Sequence, residues 1–139
     1  MEALGERLAG VLGEVRLVYL RGVLGSGKTT LVRGMLRGLG YRGTVRSPTF
    51  TLLESYTLAR PLHHFDLYRL KDPEELEFLG IRDYLQNDML CVIEWPERGA
   101  PLLPTPDLDV MIAIADMGRQ VQLTALGPRA EQIVIALRC

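Results

Sequence analysis

The sequence predicts an α/β fold. A short apolar run, Val15 to Leu20, feeds into a glycine-rich loop and then into an amphipathic helix, while a second apolar run, "MLCVIEW", ends on a carboxylate. Short, mostly apolar runs rich in β-branched side chains suit strands covered on both faces, as they are when helices flank a sheet. Two further pairs of strand-like runs, each joined by a short turn, add antiparallel hairpins.

Taken in order, Leu4, Leu8, Val11 and Leu12 recur at helical spacing, which predicts an amphipathic helix ahead of the first strand. After the glycine loop, Leu31, Met35, Leu36 and Leu39 line one side of a helix that Gly40 ends. "FTLLESYTL" and "PLHHFDLYRL" read as strands of a hairpin turning at Ala59 and Arg60. In "DPEELEFLGIRDYL", Asp72 caps a helix, Pro73 takes its first position, Glu74 and Glu75 suit its dipole, and Gly80 breaks or bends it. The buried strand "MLCVIEW" leads to a proline-rich turn from Pro96 to Pro106. "DLDVMIAIA" and "GRQVQLTAL" then pair around Met117 and Gly118. The tail "AEQIVIALRC" fits helix or strand equally. No repeat or linker divides the chain, so residues 1–139 are expected to form one domain.

Composition narrows the function. With 16 Lys and Arg against 17 Asp and Glu, a net charge of −1 and a pI near 6.1, the chain lacks the basic excess of a stand-alone nucleic-acid binder, so contact with RNA would run through a partner. Cys91 lies in an apolar run and Cys139 is terminal, neither at metal-ligand spacing, which fits a reducing cytoplasm. The N-terminus reads as no signal peptide, and no apolar run reaches membrane-spanning length.

The loop explains its own glycines. Gly22-Val-Leu-Gly-Ser-Gly-Lys28-Thr29 fits G-x-x-x-x-G-K-[ST], the Walker A element of P-loop proteins. Glycines let the backbone curl around a phosphate with its N–H groups inward, and the next helix turns its positive end to the same anion. Lys28 would reach the β- and γ-phosphates, and the Thr29 hydroxyl the magnesium between them.

Hydrolysis needs more. Glu94, at the end of the buried strand, resembles a Walker B acid with Glu in place of Asp; otherwise it marks where the strand surfaces. Asp66, inside an apolar strand, must be paired, hydrogen-bonded or near a cation. It either orients water or backs the metal, or else pairs with Arg69 or Arg82. His63 and His64 are adjacent, face opposite ways in a strand, and are read as structural. Ser47 and Thr49 in "RSPTFTLLESY" form either a γ-phosphate-sensing switch or a plain turn. Trp95 is either core under the proline turn or a wall of the site. The sequence has no N-K-x-D or T-K-x-D guanine-reading element, which favours ATP over GTP.

"GVLGSGKTTLVRGML", "SPTFTLLESY", "HHFDLYRLKDPEELEFLGIRDYL" and "VIEWPERG", in this order and at these separations, resemble the TsaE (YjeE) family, small bacterial ATPases of tRNA threonylcarbamoyladenosine synthesis. The likeness runs from about Leu4 to Arg119 and rests on the four motifs together. It implies a P-loop α/β fold with a mixed central sheet flanked by helices, ATP and Mg2+ as ligands, and slow intrinsic hydrolysis. It also implies action with the partners TsaD and TsaB on adenosine 37 of tRNAs reading ANN codons. Carried onto this sequence, Gly22 and Gly25, Ser26, Gly27, Lys28, Thr29 and Thr30 would cradle the phosphates, and Thr29 and Glu94 would bind magnesium. Lys28, Asp66 and Glu94 would form the catalytic centre, Trp95 would lie near the nucleotide or a partner, and Ser47 and Thr49 would belong to the switch. Arg119 would reach the nucleotide. The family carries an additional segment before the first helix, with a threonine approaching the base; this sequence starts at Met1, so adenine contacts are expected to differ. A small-molecule kinase and a non-hydrolysing nucleotide sensor are the competing functions, and a kinase would need lid and acceptor regions for which the chain has little room.

Overall fold

The computed structural model describes residues 1–86 and 89–137. Six strands form one mixed sheet: β1 (Leu17–Arg21), β2 (Leu53–Tyr56), β3 (Leu62–Asp66), β4 (Leu90–Glu94), β5 (Leu108–Ala115) and β6 (Gly118–Ala125), in the spatial order β2-β3-β4-β1-β5-β6. The inner four run parallel, and the edge strands β2 and β6 pair antiparallel with β3 and β5. This is the α/β arrangement with a mixed sheet that the sequence predicts, and β1, which carries the glycine loop, lies directly beside β4, which carries Glu94.

Helices cover both faces. α1 (Glu2–Ala9) and α2 (Lys28–Gly38) pack on each other and on one face, around Leu8, Val18, Leu20, Leu31, Met35 and Val92. α3 (Glu74–Leu79) and α4 (Ile81–Gln86) cover the other, around Tyr19, Phe65, Leu76, Ile81 and Ile93. Alternate residues of β1, β3 and β4 therefore serve alternate cores, and all five residues of β3 and of β4 are buried. No helix among the described residues is long and apolar enough to cross a membrane.

The helix after Asp72 begins at Glu74, with Pro73 just before it rather than in its first position, and the Asp72 carboxylate still serves its start. That carboxylate accepts the Glu74 N–H at 3.0 Å, and the Glu75 carboxylate accepts the N–H groups of Lys71 and Asp72 at 2.9 and 3.0 Å. Gly80, left-handed at φ 78°, separates α3 from α4. The tail resolves as helix, α5 (Glu131–Ala136), which buries Ile133.

Beyond shifts of one or two residues, such as β1 beginning at Leu17 rather than Val15, three boundaries differ from the sequence expectation. The first helix stops at Ala9, and Leu12 reaches the core through a turn closed by the Val11 N–H on the Leu8 carbonyl. The strand expected from Phe50 begins only at Leu53, because Leu52 takes φ 68° and turns the chain, leaving Phe50 exposed under the Arg69 guanidinium. The strand expected through Leu70 ends at Asp66, where the carboxylate accepts the Tyr68 N–H at 3.1 Å and turns the backbone away. Cys139 lies outside the described residues.

Candidate active site

A cleft of about 290 Å³ opens where β1, β3 and β4 end at their carboxyl termini. Its walls are Leu24 to Thr30, Ser47, Thr49, Asp66, Glu94 and Trp95. The register brings the two acids together: Asp66 is the cross-strand neighbour of Glu94, which itself neighbours Leu20, the penultimate residue of β1.

The loop between β1 and α2 takes a conformation that depends on its glycines. Gly22 has φ 150°, and a Cβ there would lie 2.7 Å from both the Ile112 carbonyl and the Ser26 hydroxyl, so only glycine fits. Gly27 has φ 112° and immediately precedes α2. The first helical turn of α2 is anchored by the Leu31 N–H on the Gly27 carbonyl at 2.9 Å, and the N–H groups of Lys28, Thr29 and Thr30 have no acceptor among the described residues. The Lys28 ammonium donates to the carbonyls of Gly22 and of Val23, the latter at 3.2 Å, and sits 4.5 Å from the centre of the Trp95 ring. Burial lowers the Lys28 pKa, against the opposing pull of Glu94 and Asp66. Arg119, at the start of β6, donates to the carbonyls of Ser26 at 2.9 Å and Gly25 at 3.3 Å, bracing the loop.

A model of the family described as "Threonylcarbamoyl adenosine biosynthesis protein TsaE" matches residues 1–121. The chain belongs to the TsaE family. It is 53% identical to the tRNA threonylcarbamoyladenosine biosynthesis protein TsaE of Haemophilus influenzae over 121 residues, covering 86% of this chain and 77% of that one. The Streptomyces coelicolor TsaE is 41% identical over 138 residues, 93% of each chain. Among solved structures, the crystal structure of Bacillus subtilis YdiB superposes with a TM-score of 0.81 at 31% identity, covering 96% of this chain and 84% of that one.

In this TsaE chain, the residues singled out from the sequence fall into two sets. Gly25, Ser26, Gly27, Lys28, Thr29, Thr30, Ser47, Thr49, Asp66, Glu94 and Trp95 share the cleft. Gly22 and Arg119 stand behind it, one folding the loop and the other holding its carbonyls. Neither arginine considered for Asp66 reaches it, since Arg69 stacks on Phe50 and Arg82 pairs with Glu77. Thr49 instead donates to Asp66 at 3.4 Å and accepts from Ser47 at 2.8 Å, which ties the "SPTF" segment to the acids. Trp95, left-handed at φ 57°, turns its ring into the cleft against Tyr68, an arrangement costly for a bulky residue.

The sequence reads His64 as structural; in the fold its buried Nε2 lies 2.5 Å from the Glu94 carboxylate. The signal was present in the spacing, because His64 and Asp66, two apart in one strand, share a face.

The donor set fits magnesium. The Thr29 hydroxyl and the Asp66 and Glu94 carboxylates are hard oxygen donors lining one cleft. No cluster of three or more His, Cys, Asp or Glu able to hold a metal exists among the described residues. Magnesium, which keeps waters and phosphate oxygens as ligands, asks for no more than one or two carboxylates.

The acids carry a stability cost that can be measured. Burial, reinforced by Glu94, raises the Asp66 pKa above its ordinary 3.8. The folded state therefore holds a proton that the unfolded state releases between 3.8 and the raised folded value, and stability falls as pH rises through that window. Asp66→Asn keeps an acceptor for the Tyr68 N–H and removes the buried charge. The nucleotide-free variant is expected to melt above the parent at pH 7, with the difference shrinking as the pH approaches 4. Thermal unfolding across this range checks it, and a pH-independent difference would count against the buried-charge explanation.

Proposed function

We propose that the chain is a magnesium-dependent ATPase serving the formation of threonylcarbamoyladenosine at position 37 of tRNAs reading ANN codons, in the cytoplasm, together with TsaD and TsaB. The observation that carries this reading is the joining, in a TsaE-family chain, of a complete Walker A loop to Glu94 at the end of the neighbouring strand. The names of the relatives support the place in threonylcarbamoyladenosine biosynthesis. The net charge of −1 suits a subunit that meets tRNA only through the complex.

In this mechanism the loop N–H groups and the positive end of α2 receive the phosphate oxygens. Lys28 leaves the Gly22 and Val23 carbonyls and turns to the β- and γ-phosphoryl oxygens, where its charge is compensated. Thr29 and Glu94 would hold magnesium, which would supply further neutralisation of phosphoryl charge. Asp66, hydrogen-bonded through Thr49 to Ser47, orients the attacking water and couples the γ-phosphate to the "SPTF" segment. Arg119 keeps the Gly25 and Ser26 carbonyls turned away from the anion.

The test is phosphate release from ATP by the chain alone and then with TsaD and TsaB, with Glu94→Ala in parallel. Hydrolysis that the partners stimulate and the substitution abolishes is the expected result. Intact ATP binding with no release under any condition would leave a nucleotide sensor instead.

A further inference from the structure

We propose that His64 is a positioning residue for Glu94, fixing which carboxylate oxygen is presented to the metal; the inference rests on the metal role proposed for Glu94. The sheet register creates the contact. In the parallel pairing of β3 with β4, His64 lies opposite Val92 and Asp66 opposite Glu94, so His64, Asp66 and Glu94 share the face that packs towards α2. His63, on the other face, is engaged elsewhere, with Ser55, Met89 and the Tyr84 ring. His64 is fully buried, and its Nε2 stands 2.5 Å from Oε2 of Glu94.

Two features separate this from a core histidine that merely finds a partner. First, Nδ1 of His64 is buried with no hydrogen-bond partner among the described residues. A hydrogen on Nδ1 would be stranded, so the ring carries it on Nε2 and donates to Oε2. A position needing only packing would be filled at lower cost by leucine, which leaves no buried nitrogen unpaired. Second, no other protein group among the described residues donates to the Glu94 carboxylate, and the charged groups that line the cleft with it are Asp66 and Lys28. His64 is therefore the one hydrogen-bond donor that fixes the rotation of that carboxylate among the described residues. Oε2 accepts this bond, whereas Oε1 has no protein donor among the described residues and is the freer of the two oxygens to bind. Groups that orient a metal ligand in this way are worth about 10–100-fold in metal affinity.

The experiment measures Mn2+ binding by electron paramagnetic resonance in the presence of ADP, for the full chain and for His64→Leu, His64→Gln and Glu94→Gln. ADP affinity in EDTA is measured alongside. His64→Leu is expected to weaken Mn2+ binding by about 10–100-fold with ADP affinity in EDTA unchanged, and His64→Gln, which retains an N–H donor near the same place, to recover most of the loss. In the unsubstituted protein, nitrogen–proton correlation spectra of the imidazoles should show His64 as the Nε2–H tautomer with a slowly exchanging proton. That measurement decides even if His64→Leu fails to fold, because the opposite tautomer overturns the proposal. If Glu94→Gln weakens Mn2+ binding while a folded His64→Leu does not, the positioning role falls and the metal role of Glu94 stands. If Glu94→Gln leaves Mn2+ binding unchanged, the metal role itself falls, and the proposal with it.

Discussion

Replacing Lys28 by alanine is expected to lower ATP hydrolysis by about 10²–10³-fold, the loss typical of removing one pre-organised charge-stabilising donor. The ammonium already lines the cleft, held on two loop carbonyls that it exchanges for phosphoryl oxygens. It is buried among two carbonyls, the face of Trp95 and the two cleft acids, and burial pulls its pKa down. A cation already withdrawn from water interacts more strongly with an incoming phosphate than a hydrated one does, so its contribution should fall on the charge that develops at the γ-phosphoryl group. The same reasoning sets a binding signature: affinity for ATP should drop more than affinity for AMP, which lacks the groups Lys28 would reach. Trp95 is the only tryptophan and lies beside the ammonium, so its emission can follow both titrations. Equal losses for ATP and AMP would mean that the substitution had disordered the loop rather than removed a phosphate contact.

The parts of this site that were legible in the sequence are those whose chemistry is contiguous. The eight residues from Gly22 to Thr29 carry their own conformational requirements, and the strand before them and helix after them are periodic enough to read. Glu94 was legible as the end of an apolar run. What the sequence withheld depends on strand register. Nothing local says that β4 inserts between β1 and β3, and that insertion brings Asp66 beside Glu94 and His64 onto its carboxylate. His63 and His64 do face opposite ways, and His64, two residues from Asp66 in one strand, therefore shares a face with it. At Phe50 to Leu52 local pattern misled for another reason. Apolar residues there suggest a strand, but the Asp66 N–H donates to the Leu52 carbonyl at 3.0 Å while Leu52 turns the chain through φ 68°. The turn carries Thr49 to Asp66 and leaves Phe50 outside, stacked on Arg69.

Gly34→Ala should be the most damaging single methyl in the fold, destabilising it by about 3 kcal/mol, the upper end of the usual overpacking range. Alanine at an exposed helical position would instead gain about 0.8–1 kcal/mol over glycine, so the steric cost must exceed that before any loss is seen. A Cβ on Gly34 would lie 2.0 Å from the Glu2 carbonyl oxygen and 2.8 Å from its carbon, both backbone atoms of α1 that no rotamer change can move. The contact is reciprocal, because a Cβ on Gly5 of α1 would meet the Leu31 carbonyl of α2 at 2.3 Å. The two helices therefore touch backbone to backbone. Pushing them apart would open the contacts that Leu8 makes in the core around Leu31 and Met35. It would also disturb function, since the Met1 side chain at the head of α1 lies within 3.3 Å of where a Cβ on Gly27 would stand, against the phosphate loop. Gly10→Ala supplies the control: Gly10 has φ −68°, and its nearest neighbour to an added Cβ is 3.5 Å away, an ordinary contact. Urea unfolding should find Gly10→Ala near the parent and Gly34→Ala far below it, with ATP affinity reduced only in the second. If the two variants unfold alike, the close approach of α1 and α2 is not what fixes the start of α2 behind the loop, and the placement of Lys28 must depend on the sheet alone.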